Sequence, residues 1–300
     1  MKAARFHSFG GPEVISVEEA PEPHAIPGSV RIAVRAVSVN PIDTLVRAGA
    51  LHEFLPLPFP IIPGRDAVGV VDEIGDGVEG VDLGDVVFGL GGISDTTAEF
   101  AVLTSWSPVP GDWSTEQAAA AGLAASTAAA ALEALGDIDG TTILIEGASG
   151  AVGTAAVAIA RDLGATVIGT GSQSNADYIR SLGATATSYG DGLVERVRAL
   201  APAGVDAALQ LANAPSLPDL VEIVGDPQRV VTVTDGDGAA RLGAQRIDAR
   251  NDPALLDAAV RLGRQGQYIP RVDQTLPLAR ISEAQERAAT NGGKIVVEIA

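Results

Sequence analysis

Cysteine is absent from the 300-residue chain, and its absence excludes several kinds of functional site. Disulfide frameworks, thiolate-bound zinc, iron–sulfur clusters and cysteine nucleophiles all require that side chain. Histidine is scarce as well, and His7, His24 and His52 lie too far apart for a local metal-binding pair such as His-x-x-x-His. The sequence therefore predicts no metal site.

Positive charge is also scarce, since 20 Lys and Arg face 38 Asp and Glu, for a formal net charge of −18. Phosphate backbones and anionic membranes should repel such a chain, so we expect neither nucleic acid nor a membrane as a partner. The N-terminus lacks the apolar segment of a signal peptide. The uncharged stretch 117–132 is short, and its alanines are too weakly apolar to favour a membrane span. These features predict a soluble, cytoplasmic protein.

The order of apolar and turn-forming residues predicts an α/β protein with two domains. Short strands separated by Pro and Gly up to about residue 115 predict a small distorted β-barrel. From Ser114 onward strands alternate with helices, which is typical of parallel βαβ units in a doubly wound sheet. A tail with a strand near 269–272, a helix over 282–289 and a strand over 295–299 is predicted to return to the β domain. The predicted domains are residues 1–115 with 264–300, and residues 116–263.

A glycine-rich turn is the strongest local signal. It follows a buried strand over 141–146, opens a helix over 151–163, and reads Gly147-Ala148-Ser149-Gly150-Ala151-Val152-Gly153. Such a turn aims helix N-terminal amides at an anion and keeps side chains away from a pyrophosphate. The alternative is a tight strand–helix turn without a ligand. The strand before, the helix after and a second strand about twenty residues on favour a dinucleotide site.

The loop after the second strand indicates which dinucleotide binds. Its residues carry no acid: Gly171, Ser172, Gln173, Ser174 and Asn175. NAD sites place Asp or Glu here to bind the ribose 2′-hydroxyl. Hydroxyls and a helix N-terminus instead accept a 2′-phosphate, which a carboxylate would repel. The loop favours NADP(H), although it holds no Lys or Arg, and Arg180 further on is predicted to be a solvated helix residue.

Seven motifs in order along nearly the whole chain resemble the zinc-independent quinone oxidoreductases, the zeta-crystallin-like branch of the medium-chain dehydrogenase/reductase superfamily. In sequence they are VNPID at 39–43 with Arg47 and Gly49, PGRDAVGVV at 63–71, GDVV at 84–87, AEF at 98–100, GASGAVG at 147–153, RSLGA at 180–184 and GKIV at 293–296.

The resemblance implies a GroES-like catalytic domain, a Rossmann nucleotide-binding domain and a homodimer. It implies an enzyme that transfers hydride from NADPH to a quinone or an α,β-unsaturated carbonyl. The zinc-dependent branch has a cysteine where Asn40 stands, so its metal chemistry is excluded here. Two rival functions stay open. An enoyl-thioester reductase shares the fold, although its phosphate-bearing substrates favour a basic rim. A non-catalytic NADPH-binding redox sensor is the other.

The resemblance also implies roles for individual residues. Asn40 and Asp43 are the catalytic candidates; the alternatives are an Asn that satisfies the turn before Pro41 and an Asp that caps the following helix. The cofactor-binding candidates are Asn40, Thr127, Ala148, Ser149, Gly150, Ala151, Val152, Gly153, Gly171, Ser172, Ser174, Asn175, Tyr189, Ala212, Asn213, Val233 and Thr234.

Three positions stand apart from these candidates. Leu45 and Leu51 occupy positions where many relatives carry Tyr, so the substrate site lacks a phenol. Lys294 is predicted to be a surface lysine, and its role is left open.

Overall fold

The computed structural model describes residues 1–291 and 293–299. Its strands are β1 (Lys2–Arg5), β2 (Ser16–Glu19), β3 (Val30–Val39), β4 (Asp66–Ile74), β5 (Val86–Leu90), β6 (Phe100–Leu103), β7 (Ser105–Pro108), β8 (Thr142–Glu146), β9 (Thr166–Gly171), β10 (Thr185–Ser188), β11 (Ala207–Gln210), β12 (Val230–Thr232), β13 (Gln245–Arg246), β14 (Gln274–Pro277) and β15 (Ile295–Glu298). Its α-helices are α1 (Pro41–Ala48), α2 (Thr115–Leu135), α3 (Ala151–Asp162), α4 (Ala176–Ser181), α5 (Leu193–Leu200), α6 (Leu217–Val224), α7 (Gly236–Leu242), α8 (Ala254–Arg264) and α9 (Ile281–Asn291).

The chain forms two compact units. Unit 1 comprises Met1–Leu123 and Asn251–Ala300, and unit 2 comprises Ala124–Arg250. The first boundary falls inside α2, whereas the sequence placed it at residue 115. The second boundary precedes α8, whereas the sequence assigned most of that helix to the nucleotide-binding domain. Helix α8 belongs to unit 1 because it contacts β7 and because its Gly263 lies close against Trp113.

Unit 1 is built around the long strand β3. Its first half, from Val30 to Ala33, pairs antiparallel with β6, and its second half, from Ala36 to Val39, pairs antiparallel with β15. On its other side β3 pairs with β4, and the sheet continues to β5 and β7. The tail therefore returns to the β domain, as the sequence predicts. The outer tail strand β14 runs parallel to β15.

The position of β14 corrects one prediction. The sequence places a strand near 269–272, but the described chain has its strand at Gln274–Pro277. Pro270 cannot donate a ladder hydrogen bond, and Ile269 is exposed, so the apolar run at this place does not form a strand.

Unit 2 is a six-stranded sheet in the order β10-β9-β8-β11-β12-β13, with every pair parallel. Counted from β8, this is the 3-2-1-4-5-6 order of a doubly wound nucleotide-binding sheet. The central strand β8 is buried at four of its five residues, as expected for a parallel strand covered on both faces. Because all strands run the same way, their carboxyl ends share one edge.

Helix α2 is the longest element of the described chain, and alanine dominates its sequence. By length and composition it could cross a membrane, yet 83% of its most apolar window is buried inside the protein. Burial of that extent is typical of a core helix. The small side chains fit this place because alanine both favours a helix and permits close packing.

Two glycine-to-alanine variants, Gly69→Ala and its control Gly111→Ala, test the packing of unit 1. A Cβ at Gly69, in the middle of β4, would lie 2.3 Å from the Ala33 backbone oxygen on β3. We expect Gly69→Ala to lower the free energy of unfolding by about 1–3 kcal/mol in urea denaturation, because neither strand can move without breaking the sheet.

The matched control is Gly111→Ala. Nothing lies within 4 Å of its added Cβ, so this variant should be neutral or more stable by up to about 1 kcal/mol. Equal unfolding free energies for the two variants would contradict the close approach of β3 and β4.

Candidate functional site

The carboxyl edge of the unit 2 sheet collects most of the predicted cofactor-binding residues. The glycine turn follows β8, the Gly171–Asn175 segment ends β9 and follows it, and Tyr189 follows β10. Ala212 and Asn213 follow β11, and Val233 and Thr234 follow β12. In doubly wound sheets ligands bind outside this edge, where the strand order reverses. Here the reversal lies between β8 and β11.

The glycine turn is shaped by two close approaches. Gly147 has a φ of +77°, which favours glycine, and a Cβ there would lie 3.1 Å from the Ala212 side chain on the neighbouring strand end. A Cβ at Gly153 would lie 2.1 Å from the Gly147 oxygen, so only glycine lets α3 begin this close to β8. Gly150 is the N-cap of α3 and has no side chain to cover the first-turn amides. Those amides are available to an anion.

The end of β9 carries a cluster of small polar groups beside the turn. Ser172 Oγ lies 2.9 Å from Ser174 Oγ, and Asn175 Nδ2 donates to Ser172 Oγ at 3.1 Å. A Cβ added to Gly171 would lie 3.2 Å from Ser149 Oγ, so this segment adjoins the glycine turn. The cluster offers hydroxyl and amide donors without a carboxylate among its members.

In the described part of the chain, no hydrogen bond or ion pair joins the Arg180 side chain to this cluster. It is exposed and donates to Asp177 at 2.7 Å, one turn earlier on α4. The pair agrees with the prediction of a solvated helix residue.

Buried polar side chains, which no motif of the sequence marks, join the ends of β8, β11 and β12. Ser216 Oγ donates to Glu146 Oε2 at 2.6 Å, and Thr232 Oγ1 donates to Gln210 Oε1 at 2.7 Å. Gln210 Nε2 reaches Ser216 Oγ at 3.3 Å. Burial raises the pKa of Glu146, against the hydrogen bond from Ser216. The sequence feature that could have identified this group is a polar residue at the end of each of three apolar strands.

Two other predicted cofactor residues have less distinctive surroundings. Thr127 lies on α2 and is 8% exposed. Tyr189 is 59% exposed, so its ring is not packed into the sheet edge.

In unit 1 the predicted catalytic residue Asn40 is the centre of a buried hydrogen-bond network. Its Nδ2 donates to Asp66 Oδ1 at 3.0 Å and lies 3.2 Å from the oxygens of Ser38. Its Oδ1 accepts from Lys294 Nζ at 2.6 Å. Both polar ends of the amide therefore have partners within the protein.

Asp43 has a different place from the predicted one. The sequence suggests that Asp43 caps its helix, but α1 begins earlier, at Pro41, with Asn40 as its N-cap. Asp43 lies in the first turn, where its Oδ2 accepts from the Asn40 backbone N–H at 2.8 Å. Proline is favoured at the first helical position, which explains the earlier start. Burial raises the pKa of Asp43 to about 7, against that hydrogen bond.

Asp66 and Lys294 complete the network. Asp66 Oδ1 also accepts from Ser38 Oγ at 2.6 Å, and Oδ2 accepts from the Leu123 backbone N–H at 3.0 Å. The prediction of a surface lysine at 294 is wrong, since the residue is 6% exposed. Burial lowers the pKa of Lys294, while the charges of Asp66 and Asp43 act to raise it.

Known protein families match both parts of the chain. Family models for an alcohol dehydrogenase GroES-like domain and a zinc-binding dehydrogenase match residues 26–115 and 151–256. A chloroplast envelope quinone oxidoreductase homolog from Arabidopsis thaliana is 30% identical over 99% of this chain and 98% of its own. The chain belongs to the zeta-crystallin-like branch of the medium-chain dehydrogenase/reductase superfamily.

Other relatives of this zeta-crystallin-like protein extend over the same length. The quinone oxidoreductase of Rattus norvegicus is 28% identical over 98% of this chain and 96% of its own. The structure of the quinone oxidoreductase from Coxiella burnetii matches with a TM-score of 0.84 and 26% identity, covering 100% of this chain and 99% of that one. The protein is therefore an oxidoreductase with a GroES-like domain, a Rossmann domain and a nicotinamide cofactor.

The second matching family is described as a zinc-binding dehydrogenase, and a zinc site requires a group of metal-ligating side chains. Within residues 1–291 and 293–299, no group of three or more His, Cys, Asp or Glu is arranged to hold a metal ion. Asn40 occupies the position of a metal-binding cysteine in the zinc-dependent branch. Its side chain is hydrogen-bonded to Asp66 and Lys294.

The raised pKa of Asp43 predicts a pH-dependent stability. An unfolded Asp loses its proton near pH 3.8, whereas the folded protein keeps it up to about pH 7. The folded state therefore binds more protons in this interval, and stability falls as the pH rises through it, by up to about 1.4 kcal/mol per unit. Asp43→Asn removes this loss. Relative to wild type, its unfolding free energy should increase from about pH 4 to pH 7 and then stay level.

The control is Asp76→Asn, which changes an exposed carboxylate of the same unit. Its difference from wild type should vary little with pH. A difference between Asp43→Asn and wild type that is constant from pH 4 to pH 8 would contradict the assignment.

Proposed function

We propose that this protein is a zinc-independent, NADPH-dependent reductase that transfers hydride to a quinone or an α,β-unsaturated carbonyl. Relatives of nearly equal length named quinone oxidoreductase support the acceptor class. The observation that carries the proposal is the carboxyl edge of the unit 2 sheet, where a glycine-rich turn adjoins an acid-free cluster of hydroxyls.

The loop after β9 supports NADPH over NADH. Ser172 and Ser174 present hydroxyls, and Asn175 presents an amide that already bonds to Ser172. A 2′-phosphate can accept hydrogen bonds from all three groups, whereas a ribose 2′-hydroxyl would lack the carboxylate that NAD sites provide. The acid that follows, Asp177, is paired with Arg180.

The chain's own residues have distinct tasks in this proposal. When bound, the nicotinamide supplies the hydride. The first-turn amides of α3 hold the pyrophosphate, and the residues after β11 and β12 line the ribose and nicotinamide. Asn40 is the catalytic candidate that the family resemblance implies in unit 1. Asp43, with a pKa of about 7, can hold a proton at neutral pH.

The acceptor site lacks a phenol near α1. Leu45 is 43% exposed on that helix and Leu51 follows it, at the positions where many relatives carry Tyr. Acceptors that are already electrophilic need little proton donation, so quinones and enones suit such a site. We also propose a cytoplasmic homodimer with no nucleic acid or membrane partner, on the family resemblance and the net charge of −18.

The test of the function is oxidation of NADPH by purified protein with 1,4-benzoquinone, 2-cyclohexenone and crotonyl coenzyme A in parallel. Turnover of the quinone or the cyclic enone is the expected result. Turnover of the thioester alone would replace the proposal with an enoyl-thioester reductase. Binding of NADPH without turnover of any acceptor would favour a redox sensor.

Ser172→Asp tests the cofactor preference. A carboxylate at this position would lie close to the 2′-phosphate, and like charges about 4 Å apart at a protein surface repel by about 4 kcal/mol. We expect kcat/KM for NADPH to fall at least about a hundredfold while kcat/KM for NADH is kept or rises.

Ser181→Asp is the control, since it adds the same charge to an exposed position further along α4. Its ratio of kcat/KM values for NADPH and NADH should equal that of wild type. An unchanged ratio in Ser172→Asp would show that the 2′-phosphate binds elsewhere.

A further inference from the structure

The last residues of three neighbouring strands in unit 2 form a buried polar row. Glu146 ends β8, Gln210 ends β11 and Thr232 ends β12, and the parallel register sets the three side by side. None of them is more than 1% exposed. The residues two positions earlier on the same strands are apolar and belong to one hydrophobic cluster: Leu144, Ala208 and Val230. The polar row therefore continues an apolar face of the sheet, where burying polar groups is costly unless they are hydrogen-bonded.

The hydroxyl of Thr232 holds the loop that follows β12. Its Oγ1 accepts from the backbone N–H of Thr234 at 3.1 Å and from that of Asp235 at 3.0 Å. Thr234 Oγ1 in turn donates to the Ala212 carbonyl oxygen at 3.1 Å, on the loop after β11. A side-chain oxygen thus supplies the acceptor that these backbone donors need where the chain leaves the sheet.

The amide of Gln210 holds the loop that follows β11. Its Nε2 donates to the Ala214 carbonyl oxygen at 2.9 Å and to Ser216 Oγ at 3.3 Å. Its Oε1 accepts from Thr232 Oγ1 at 2.7 Å. One side chain therefore connects the loop after β11 to the hydroxyl that holds the loop after β12.

The hydrogen bonds of the row all run in one direction. Ser216 donates its hydroxyl proton to Glu146 Oε2 at 2.6 Å, so its oxygen can only accept from Gln210. Gln210 then turns Nε2 towards Ser216 and Ala214 and its oxygen towards Thr232, whose hydroxyl proton it accepts. Thr232 Oγ1 is left as an acceptor for the loop after β12. Because each bond fixes the next, the two loops have one mutual arrangement.

The two loops contain four of the predicted cofactor-binding residues: Ala212, Asn213, Val233 and Thr234. They follow β11 and β12, whereas the glycine turn and the hydroxyl cluster follow β8 and β9, on the other side of the reversal in strand order. In the proposed function these four residues line the ribose and nicotinamide, and the other side holds the adenosine half.

We propose that Gln210 and Thr232 are positioning residues for the nicotinamide half of the cofactor. They act through the backbone of the loops after β11 and β12, which they hold in one arrangement. This inference rests on the proposed function, to which it adds two buried residues. The rival explanation is purely structural: the polar row stabilises the sheet and has no selective effect on either half of the cofactor.

Binding of a whole and of a half cofactor separates these explanations. Thr232→Val removes the hydroxyl and keeps the branched shape, and Gln210→Met removes the amide and keeps the chain length. These variants and the double variant are compared with wild type in their dissociation constants for NADPH and for 2′,5′-ADP, which lacks the nicotinamide half, and in melting temperature.

We expect each single variant to raise the NADPH dissociation constant by about tenfold, the size of effect that the loss of one or two buried hydrogen bonds can produce. The dissociation constant for 2′,5′-ADP should stay as in wild type. The double variant should be no worse than the weaker-binding single variant, because both substitutions break the same bond between Thr232 and Gln210. If one single variant does not fold, the other tests that bond.

Two controls accompany these variants. Thr232→Ser keeps the hydroxyl, so it should recover most of the NADPH affinity lost in Thr232→Val. Thr141→Val makes the same chemical change at the opposite edge of the sheet, just before β8, where the Thr141 hydroxyl donates to the Ile138 carbonyl oxygen at 2.7 Å. It should lower the melting temperature and leave both dissociation constants unchanged.

Three outcomes would overturn the proposal. Equal rises for NADPH and 2′,5′-ADP would show that the row only stabilises the sheet. An unchanged NADPH dissociation constant in a folded Thr232→Val or Gln210→Met variant would show that the loops do not depend on the row. Multiplicative effects in the double variant would show that the two side chains act separately.

The same measurements distinguish failure of this inference from failure of the proposed function. Wild-type protein that binds NADPH but reduces no acceptor would defeat the proposed function, and the dissociation constants of the variants would still decide the role of Gln210 and Thr232. Wild-type protein that does not bind NADPH would overturn both.

Discussion

The carboxylate of Asp66 is the contact on which unit 1 depends most. It is fully buried at the start of β4 and accepts hydrogen bonds from Ser38 on β3, from the Asn40 side chain at the start of α1 and from the Leu123 N–H on α2. A buried carboxylate requires such donors and a nearby cation, since transfer from water is otherwise prohibitive. The cation is Lys294, which the C-terminal strand brings to β3. One charge thus ties together the sheet, two helix segments and the tail.

In unit 2 the corresponding constraint is geometric. All six strands run parallel, so the loops that follow them lie along one edge, and the reversal of strand order separates the loops after β8 and β11. Glycine at 147 and 153 allows α3 to start directly behind β8. The amides of the helix and the hydroxyls after β9 then lie side by side. This edge suits a dinucleotide because it offers donors to phosphates and few obstructing side chains.

Much of the architecture was predictable from local patterns. The strands over 30–39 and 86–90 and the parallel βαβ order follow from apolar periodicity, and the glycine turn follows from spacing. The burial of Lys294 was not predictable from local patterns, because it depends on the pairing of β15 with β3 across almost the whole chain. The same holds for α8, whose partner Trp113 is distant in sequence. The predicted N-cap Asp43 lies three residues after the observed N-cap Asn40, because the preference of Pro41 for a first helical position outweighed the capping tendency of Asp.

Hydride transfer is tested most directly by a single-turnover reaction of NADPH-loaded protein with an excess of quinone or cyclic enone. It would follow nicotinamide absorbance with NADPH that carries hydrogen or deuterium at the transferred position of the ring. Direct hydride transfer predicts rapid loss of the reduced-nicotinamide absorbance and a slower reaction with deuterium. Bound NADPH whose absorbance persists after mixing with either acceptor would contradict it.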